Sequence, residues 1–333
     1  MKNALDQIEL ADSIGFDYVF EVEHHFLEEY SHSSAPEVFL AAASQRTKNI
    51  RLGHGIVLMP PRYNQPARVA ERIATLDLVS DGRVEFGTGE SASDQEMGGF
   101  GIQREEKKGM WEEATREVVK MMTNTPYEGV EGAYFGMPQR NVVPKPLQKP
   151  HPPLWVASSR RETTMVGARL GMGSLGFAFE TPEEMTERNE QYFSLIREEC
   201  YPIGAAINPA LGVVNVLSCF DTDEEAIEKG MEGAQFFAYS LAYYYNPFTA
   251  GQHRPGKSNI YKQFIDSPEE QRWGPFGDAF RAFGGFDGGN ATGEEPKDEV
   301  SEHSGARPSA AAALARRSSS RTRCASTRTR TLT

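Results

Sequence analysis

Helix and strand patterns alternate along the first ninety residues at a near-constant interval, and this restricts the chain to parallel α/β architectures. Ala4, Leu5, Ile8 and Ala11 form one helical stripe over residues 3–14, and Gly15 is a natural C-terminal stop. The apolar run FDYVFEV follows at once as a predicted buried strand. The order then repeats: a helix over APEVFLAAASQRT leads into the strand IRLGHGIVLM, and a helix over QPARVAERIATLDLVSDG leads into RVEFGTG. A long helix, REEKKGMWEEATREVVKMM, comes next, and then a Gly/Pro-rich insertion over residues 125–153. The pattern resumes with the strand PLWVAS, the helix RRETTMVGARLG, the strand SLGFAF, a helix over 182–200, the strand LGVVNVLSCF and a helix ending in YYY. Six parallel strands fit either a doubly wound sheet or most of an eight-stranded barrel. Both place ligands at the carboxyl ends of the strands, and the length of 333 residues favours the barrel.

Residues 246–295 read as a long loop rich in Gly, Pro and aromatics, a length expected of a functional or mobile segment. The chain divides into a barrel domain over 1–303 and a tail over 304–333. The tail holds seven arginines and no Asp, Glu or Lys, and reads as disordered or translated out of frame. No strand precedes the first helix, and none is legible after residue 303. The barrel is therefore expected to lack its first and last strands, leaving FDYVFEV and LGVVNVLSCF as apolar edges prone to association.

A net charge of −12 disfavours nucleic acid and anionic membranes as partners. No apolar run is long enough to span a bilayer, and the acidic N-terminus is unlike a targeting peptide. Three cysteines without ligand spacing suit a reducing cytoplasm and argue against a zinc site.

Polar groups gather where the strands end: Glu23, His24 and His25; His54; residues 88–91; and residues 158–161. Adjacent histidines on a strand point to opposite faces, so His24 and His25 are poorly placed to chelate one metal. His24 shares parity with Tyr18, Phe20 and Val22 and ends the apolar face. It can act there as base or donor, or be an ordinary histidine satisfied by Glu23 or a carbonyl. Gly87-x-Gly89 is a weak dinucleotide fingerprint, because the following SDQEMGGFG reads as loop. It reads better as a turn where the backbone closely approaches a flat ligand. ASSRRETT, running from a strand end into a helix, is either a phosphate cradle or an N-cap with solvated arginines.

Taken together, SIGFDYVFEVEHHF, the segment from IRLGHGIVLM through LDLVSDGRVEFGTGES, and PPLWVASSRRET resemble the bacterial-luciferase-like flavin monooxygenase family over residues 3–300. The resemblance implies an incomplete (β/α)8 barrel with a flavin at its carboxyl mouth. The cofactor would be reduced FMN used with O2, or the deazaflavin F420 used for hydride transfer. It implies catalysis by His24 with support from Glu23, and a non-proline cis peptide at Gly55–Ile56 beneath the flavin ring. Ser158, Ser159 and Arg160 would hold the phosphate with help from Lys108, and Phe177 and Phe179 would wall the ring. Gly89 and Glu90 stand where luciferase α subunits carry a reactive cysteine and an arginine, so light emission is not expected. The expected activity is oxygenation of a small organic substrate, with reduced flavin supplied by a separate reductase and a homodimeric or heterodimeric assembly. An F420-dependent oxidoreductase, with Arg161 and Arg62 serving the longer tail, or a non-catalytic flavin-binding subunit are the alternatives.

Overall fold

The computed structural model describes residues 1–177, 180, 182–214, 217–245 and 259–267. Phe179, most of the segment 246–295 and the basic tail lie outside the described residues, as do the expectations attached to them.

Each predicted unit of the alternation forms. Helix α1 (Lys2–Ile14) ends at Gly15, which takes φ 94° and returns its N–H to the carbonyls of Ala11 and Asp12. Strand β1 (Tyr18–Glu21) follows, then α2 (Pro36–Ser44), β2 (Arg51–His54), β3 (Val57–Leu58), α3 (Pro66–Val79) and β4 (Val84–Gly89). Pro66 opens α3, where its missing N–H costs nothing, and the Gln65 side chain accepts from the Arg68 N–H. Helices α4 (Asp94–Phe100) and α5 (Lys107–Thr123) lead to a hairpin of β5 (Tyr127–Glu131) and β6 (Gly136–Arg140). The chain continues through β7 (Leu154–Ala157), α6 (Arg161–Arg169), β8 (Gly173–Phe177), α7 (Pro182–Glu198), β9 (Leu211–Val214), α8 (Asp223–Tyr245) and α9 (Ile260–Asp266).

The main sheet is parallel, in the order β1-β2-β4-β7-β8-β9 with β3 also on β4, and it curls into a half-barrel with helices outside. Its outward face carries Leu52, Val84, Phe86, Leu154 and Val156, which pack in one core with Leu40, Val69, Ile73, Val118 and Met122 of the helices. Phe86 and Leu52 are fully buried, each contributing about 1.5–3 kcal/mol by leaving water. The inward face is sealed low down by Phe20 and Trp155, edge to face at 5.5 Å between ring centres.

Four sequence expectations need correction. The single strand read over residues 50–59 is two, divided at Gly55–Ile56, whose peptide is cis as the resemblance implied. The segment after Gly89 contains α4 rather than loop alone. The Gly/Pro-rich insertion holds the β5–β6 hairpin, flanked by cis peptides before Pro126, Pro144 and Pro150. Within the expected loop 246–295, residues 260–266 form α9, packed on α8 through Phe264 and Phe236. Among the described residues β1 and β9 are the sheet edges, and Tyr18, Val213 and Val214 are exposed there.

Candidate active site

The carboxyl ends of the strands form a rim. At its β1 end the chain leaves Glu21 and runs through Glu23, His24 and His25, with the His24 amide donating to the Ser33 carbonyl at 2.8 Å. Glu23 is buried and accepts from the Leu58 amide at 2.9 Å and the Asn64 side chain at 2.8 Å, so it ties β1 to the end of β3. Its third partner is His25, Nε2 to Oε1 at 3.0 Å, and this hydrogen bond raises the His25 pKa above its ordinary value. The expected support of His24 by Glu23 is therefore not what forms. Glu23 holds His25.

His24 is held instead by Glu96, a residue sequence reasoning missed because it lies on α4. His24 Nδ1 stands 3.2 Å from Glu96 Oε1, the same oxygen accepts from the His25 amide at 3.0 Å, and Ser91 Oγ donates to Oε2 at 3.1 Å. The Glu96 carboxylate is only 1% exposed. A signal for α4 was present, since Ser93-x-x-Glu96 is the capping-box pattern of a helix start. Yet neither residue caps. Ser93 makes no side-chain cap bond, its buried Oγ has no partner among the described residues, and Glu96 turns away to the histidines.

Beside this cluster the ends of β3 and β4 are pressed together. A Cβ at Gly87 would sit 1.9 Å from the His54 carbonyl oxygen, and one at Gly89 would sit 2.5 Å from Ile56 Cδ1. These glycines admit the His54–Ile56 segment, so the close approach expected of a ligand is made here by the protein's own chain. Glu90 pairs with Lys107, whose ammonium also donates to the Ser91 carbonyl at 2.7 Å. Lys108, expected at the phosphate, is exposed one residue further along and has no polar partner among the described residues, while Lys107 faces the rim. Buried atoms without partners among the described residues gather here: His54 Nδ1, Glu90 Oε2 and Ser93 Oγ.

The ladder carries the rim onward. Thr88 pairs with Val156 and Ala157 with Leu175, which sets Gly89 beside Ala157 and Ser158 beside Gly176. Ser158 is buried and spends its hydroxyl on Ser174 and its amide on the Leu175 carbonyl. The side chains of Ser159 and Arg160 are exposed, without polar partners among the described residues, at the N-terminus of α6, whose first two amides precede any intrahelical acceptor. This donor set fits a phosphate. Phe177 ends β8 against Phe237 of α8 at 6.5 Å. An aromatic wall continues from there: Phe237 stacks on Tyr30 at 6.0 Å, and Tyr30 and Tyr245 present their rings edge-on to His24 at 5.5 and 6.5 Å. Burial, followed by the nearby charge of Glu96, pushes the Tyr30 phenol well above its usual range, so it stays protonated.

Among the described residues no His, Cys, Asp and Glu group has metal-holding geometry, and no helix is long and apolar enough to cross a membrane.

A parallel (β/α) half-barrel whose polar side chains converge on the carboxyl rim has the architecture that in barrel proteins places ligands at that rim. The family model for luciferase-like monooxygenases matches residues 1–318, and the chain belongs to that family. It is 34% identical over 165 residues to the uncharacterized protein y4wF of Sinorhizobium fredii, covering 49% of this chain and 46% of that protein. It is 25% identical over 252 residues to the oxygenase component of a flavin-dependent trigonelline monooxygenase of Acinetobacter baylyi, covering 73% of this chain and 66% of that protein. The match spans about half the length of the first curated relatives. Among solved structures, the oxygenating constituent of a Pseudomonas putida 3,6-diketocamphane monooxygenase in complex with FMN superposes with a TM-score of 0.62 at 19% identity, covering 85% of this chain and 84% of that one. An F420-dependent secondary alcohol dehydrogenase superposes with a TM-score of 0.61 at 20% identity, covering 85% and 87%. Homologous proteins thus use FMN or F420, and these two structures share the fold.

Proposed function

We propose that the chain is the oxygenating component of a flavin-dependent monooxygenase, taking reduced FMN and O2 to oxygenate a small organic substrate. The observation that carries this reading is one shared rim: His24, oriented by a buried carboxylate, and the unpaired donors of Ser159, Arg160 and α6 lie along the same strand ends. Bound FMN would supply the electrons that activate O2. The protein's own part is binding, orientation and proton handling. Ser159, Arg160 and the α6 amides hold the phosphate; Ile56, Gly89 and Phe177 bound the ring site; and His24 Nε2 takes or returns a proton. The aromatic wall of Tyr30, Phe237 and Tyr245 supports an apolar substrate and keeps water from the site. The trigonelline relative is named as an oxygenase component, which supports a separate protein as the source of reduced flavin.

F420 is the less supported cofactor, because the cations that would serve its longer anionic tail are already engaged. Arg161 binds Glu187 and Gln191, and Arg62 donates to the Gly101 carbonyl.

Spectral titration with FMN, riboflavin and F420, in parent and variants, tests the proposal. Arg160→Ala should weaken FMN by about 1.5–3 kcal/mol, the range for hydrogen bonds to charged groups, and leave riboflavin unaffected. His24→Ala should retain FMN binding and lose ~10²–10⁴ in the rate of substrate oxygenation, read as incorporation of labelled O2 into a panel of apolar compounds. F420 binding without FMN binding, or equal weakening of FMN and riboflavin, would overturn it.

A further inference from the structure

We infer that Glu96 is the positioning residue of His24: its carboxylate holds the imidazole in the Nδ1–H form and leaves the Nε2 lone pair as the group that accepts a proton. This rests on the flavin-site reading for its catalytic meaning and on geometry for everything else. His24 Nδ1 meets Glu96 Oε1 at 3.2 Å, and a carboxylate oxygen can only accept, so the hydrogen resides on Nδ1. The carboxylate is itself fixed from two further sides, by the His25 amide at 3.0 Å and the Ser91 hydroxyl at 3.1 Å. Those donors hold it in place whether or not His24 is present. A nucleophile or base oriented by a third group that does not itself react is a recurring catalytic arrangement.

Two features set Glu96 apart from an ordinary helix-start glutamate. In a capping box it would reach back to the Ser93 amide and Ser93 would cap the helix in return. Here that exchange is not made, and the Ser93 hydroxyl is left buried without a partner among the described residues. The helix end gives up its local satisfaction and the carboxylate is directed at the histidines. Ser91, which supports it, has φ 66°, in the left-handed region that a residue with a side chain seldom occupies.

The neighbouring histidine sharpens the inference. His25 meets Glu23 through Nε2 at 3.0 Å, so the same rule assigns it the opposite tautomer. Two adjacent histidines, two carboxylates and two tautomers divide the work: His25 anchors the loop to β3 through Glu23, and the outer nitrogen of His24 has no hydrogen-bond partner among the described residues.

Nitrogen-15 NMR of the full chain at pH 9, where imidazoles are largely neutral, reads this directly. His24→Gln and His25→Gln spectra assign the two rings. The expected result is a protonated Nδ1 on His24 and a protonated Nε2 on His25. Glu96→Gln, whose amide can donate as well as accept, should turn the His24 signal into a mixture of tautomers while leaving the His25 ring and FMN affinity unchanged. A protonated Nε2 on His24 in the parent, or tautomer proportions unmoved by Glu96→Gln, would overturn the assignment. The parent spectrum decides the tautomer even if the variant does not fold. An FMN titration of the same parent sample reports on the flavin reading separately, since the tautomer is set without cofactor.

Discussion

The two ends of the same sheet solve opposite problems. At the amino ends, buried polar side chains among the described residues find partners. Asp12 accepts from the amides of Lys48, Asn49 and Ile50 just before β2. Arg83, just before β4, donates to the carbonyls of Ser44, Thr47, Ile50 and Ser80 and to the Thr47 hydroxyl. Asp77 takes both the amide and the side chain of Gln148, and Glu85 takes Trp155 and Arg51. At the carboxyl ends, His54 Nδ1, Glu90 Oε2 and Ser93 Oγ are buried without partners among the described residues. An unsatisfied buried polar atom costs about 1–3 kcal/mol, so it persists where it is needed for something other than stability. One end holds the fold together and the other is kept available.

Removing Arg83 should break this contrast with the largest effect. Arg83→Met keeps the apolar stem and strands several carbonyls, and urea unfolding should show a loss of about 2–4 kcal/mol. FMN affinity of the folded fraction should not change. A variant as stable as the parent would mean that the floor is not where stability resides.

Acid should act on both ends, with a smaller effect. Burial depresses His54 to about 4 and also lowers His151, which donates from Nδ1 to the Pro152 carbonyl and accepts the Ala205 amide on Nε2. Unfolded, both return to near 6.5. Their neutral forms are compatible with the fold above that value, and stability falls as pH drops from about 6.5 through the folded values, because the unfolded chain then binds more protons. His25 runs the other way: raised by Glu23, it stabilises below its unfolded value, and that contribution is lost as pH rises through the folded one. Unfolding free energies from urea titration at pH 7 and pH 5 should differ by about 2 kcal/mol in favour of pH 7, and His54→Gln should flatten the slope. A midpoint independent of pH would remove both buried histidines from the account.

Ser93→Ala should show the smallest effect. An N-cap serine usually contributes about 0.5–2 kcal/mol, but this one makes no cap bond and its buried hydroxyl has no partner among the described residues, so removing it should cost nothing, and thermal unfolding should match or exceed the parent. A loss above 1 kcal/mol would show that Ser93 caps α4 after all.

The same contrast explains what was legible in the sequence. Repetition of apolar stripes and runs is a global signal, and it placed all six long parallel strands and the helices between them, down to the Gly15 stop. Short, locally unsatisfied pieces escaped it. Helix α4 has seven residues, two of them glycines, and that composition reads as loop. The β5–β6 hairpin is composed of YEGVE and GMPQR, where Gly and Pro mask any alternation. In the site, strand-end parity pointed to His24, which the structure sets beyond the end of β1 and against Glu96. No periodicity relates it to Glu96, 72 residues away, and the adjacent Glu23 was the nearer but mistaken partner. Lys107 and Lys108 differ only in helical phase, which composition cannot resolve.

On this division, ligand binding belongs to the carboxyl rim and stability to the amino floor. Hydrogen–deuterium exchange with and without FMN tests it directly. FMN should protect peptides covering residues 54–59, 87–96 and 157–164 and leave those covering 45–51, 80–85 and 145–153 unchanged. Protection confined to the floor segments, or to the β5–β6 hairpin, would contradict the account.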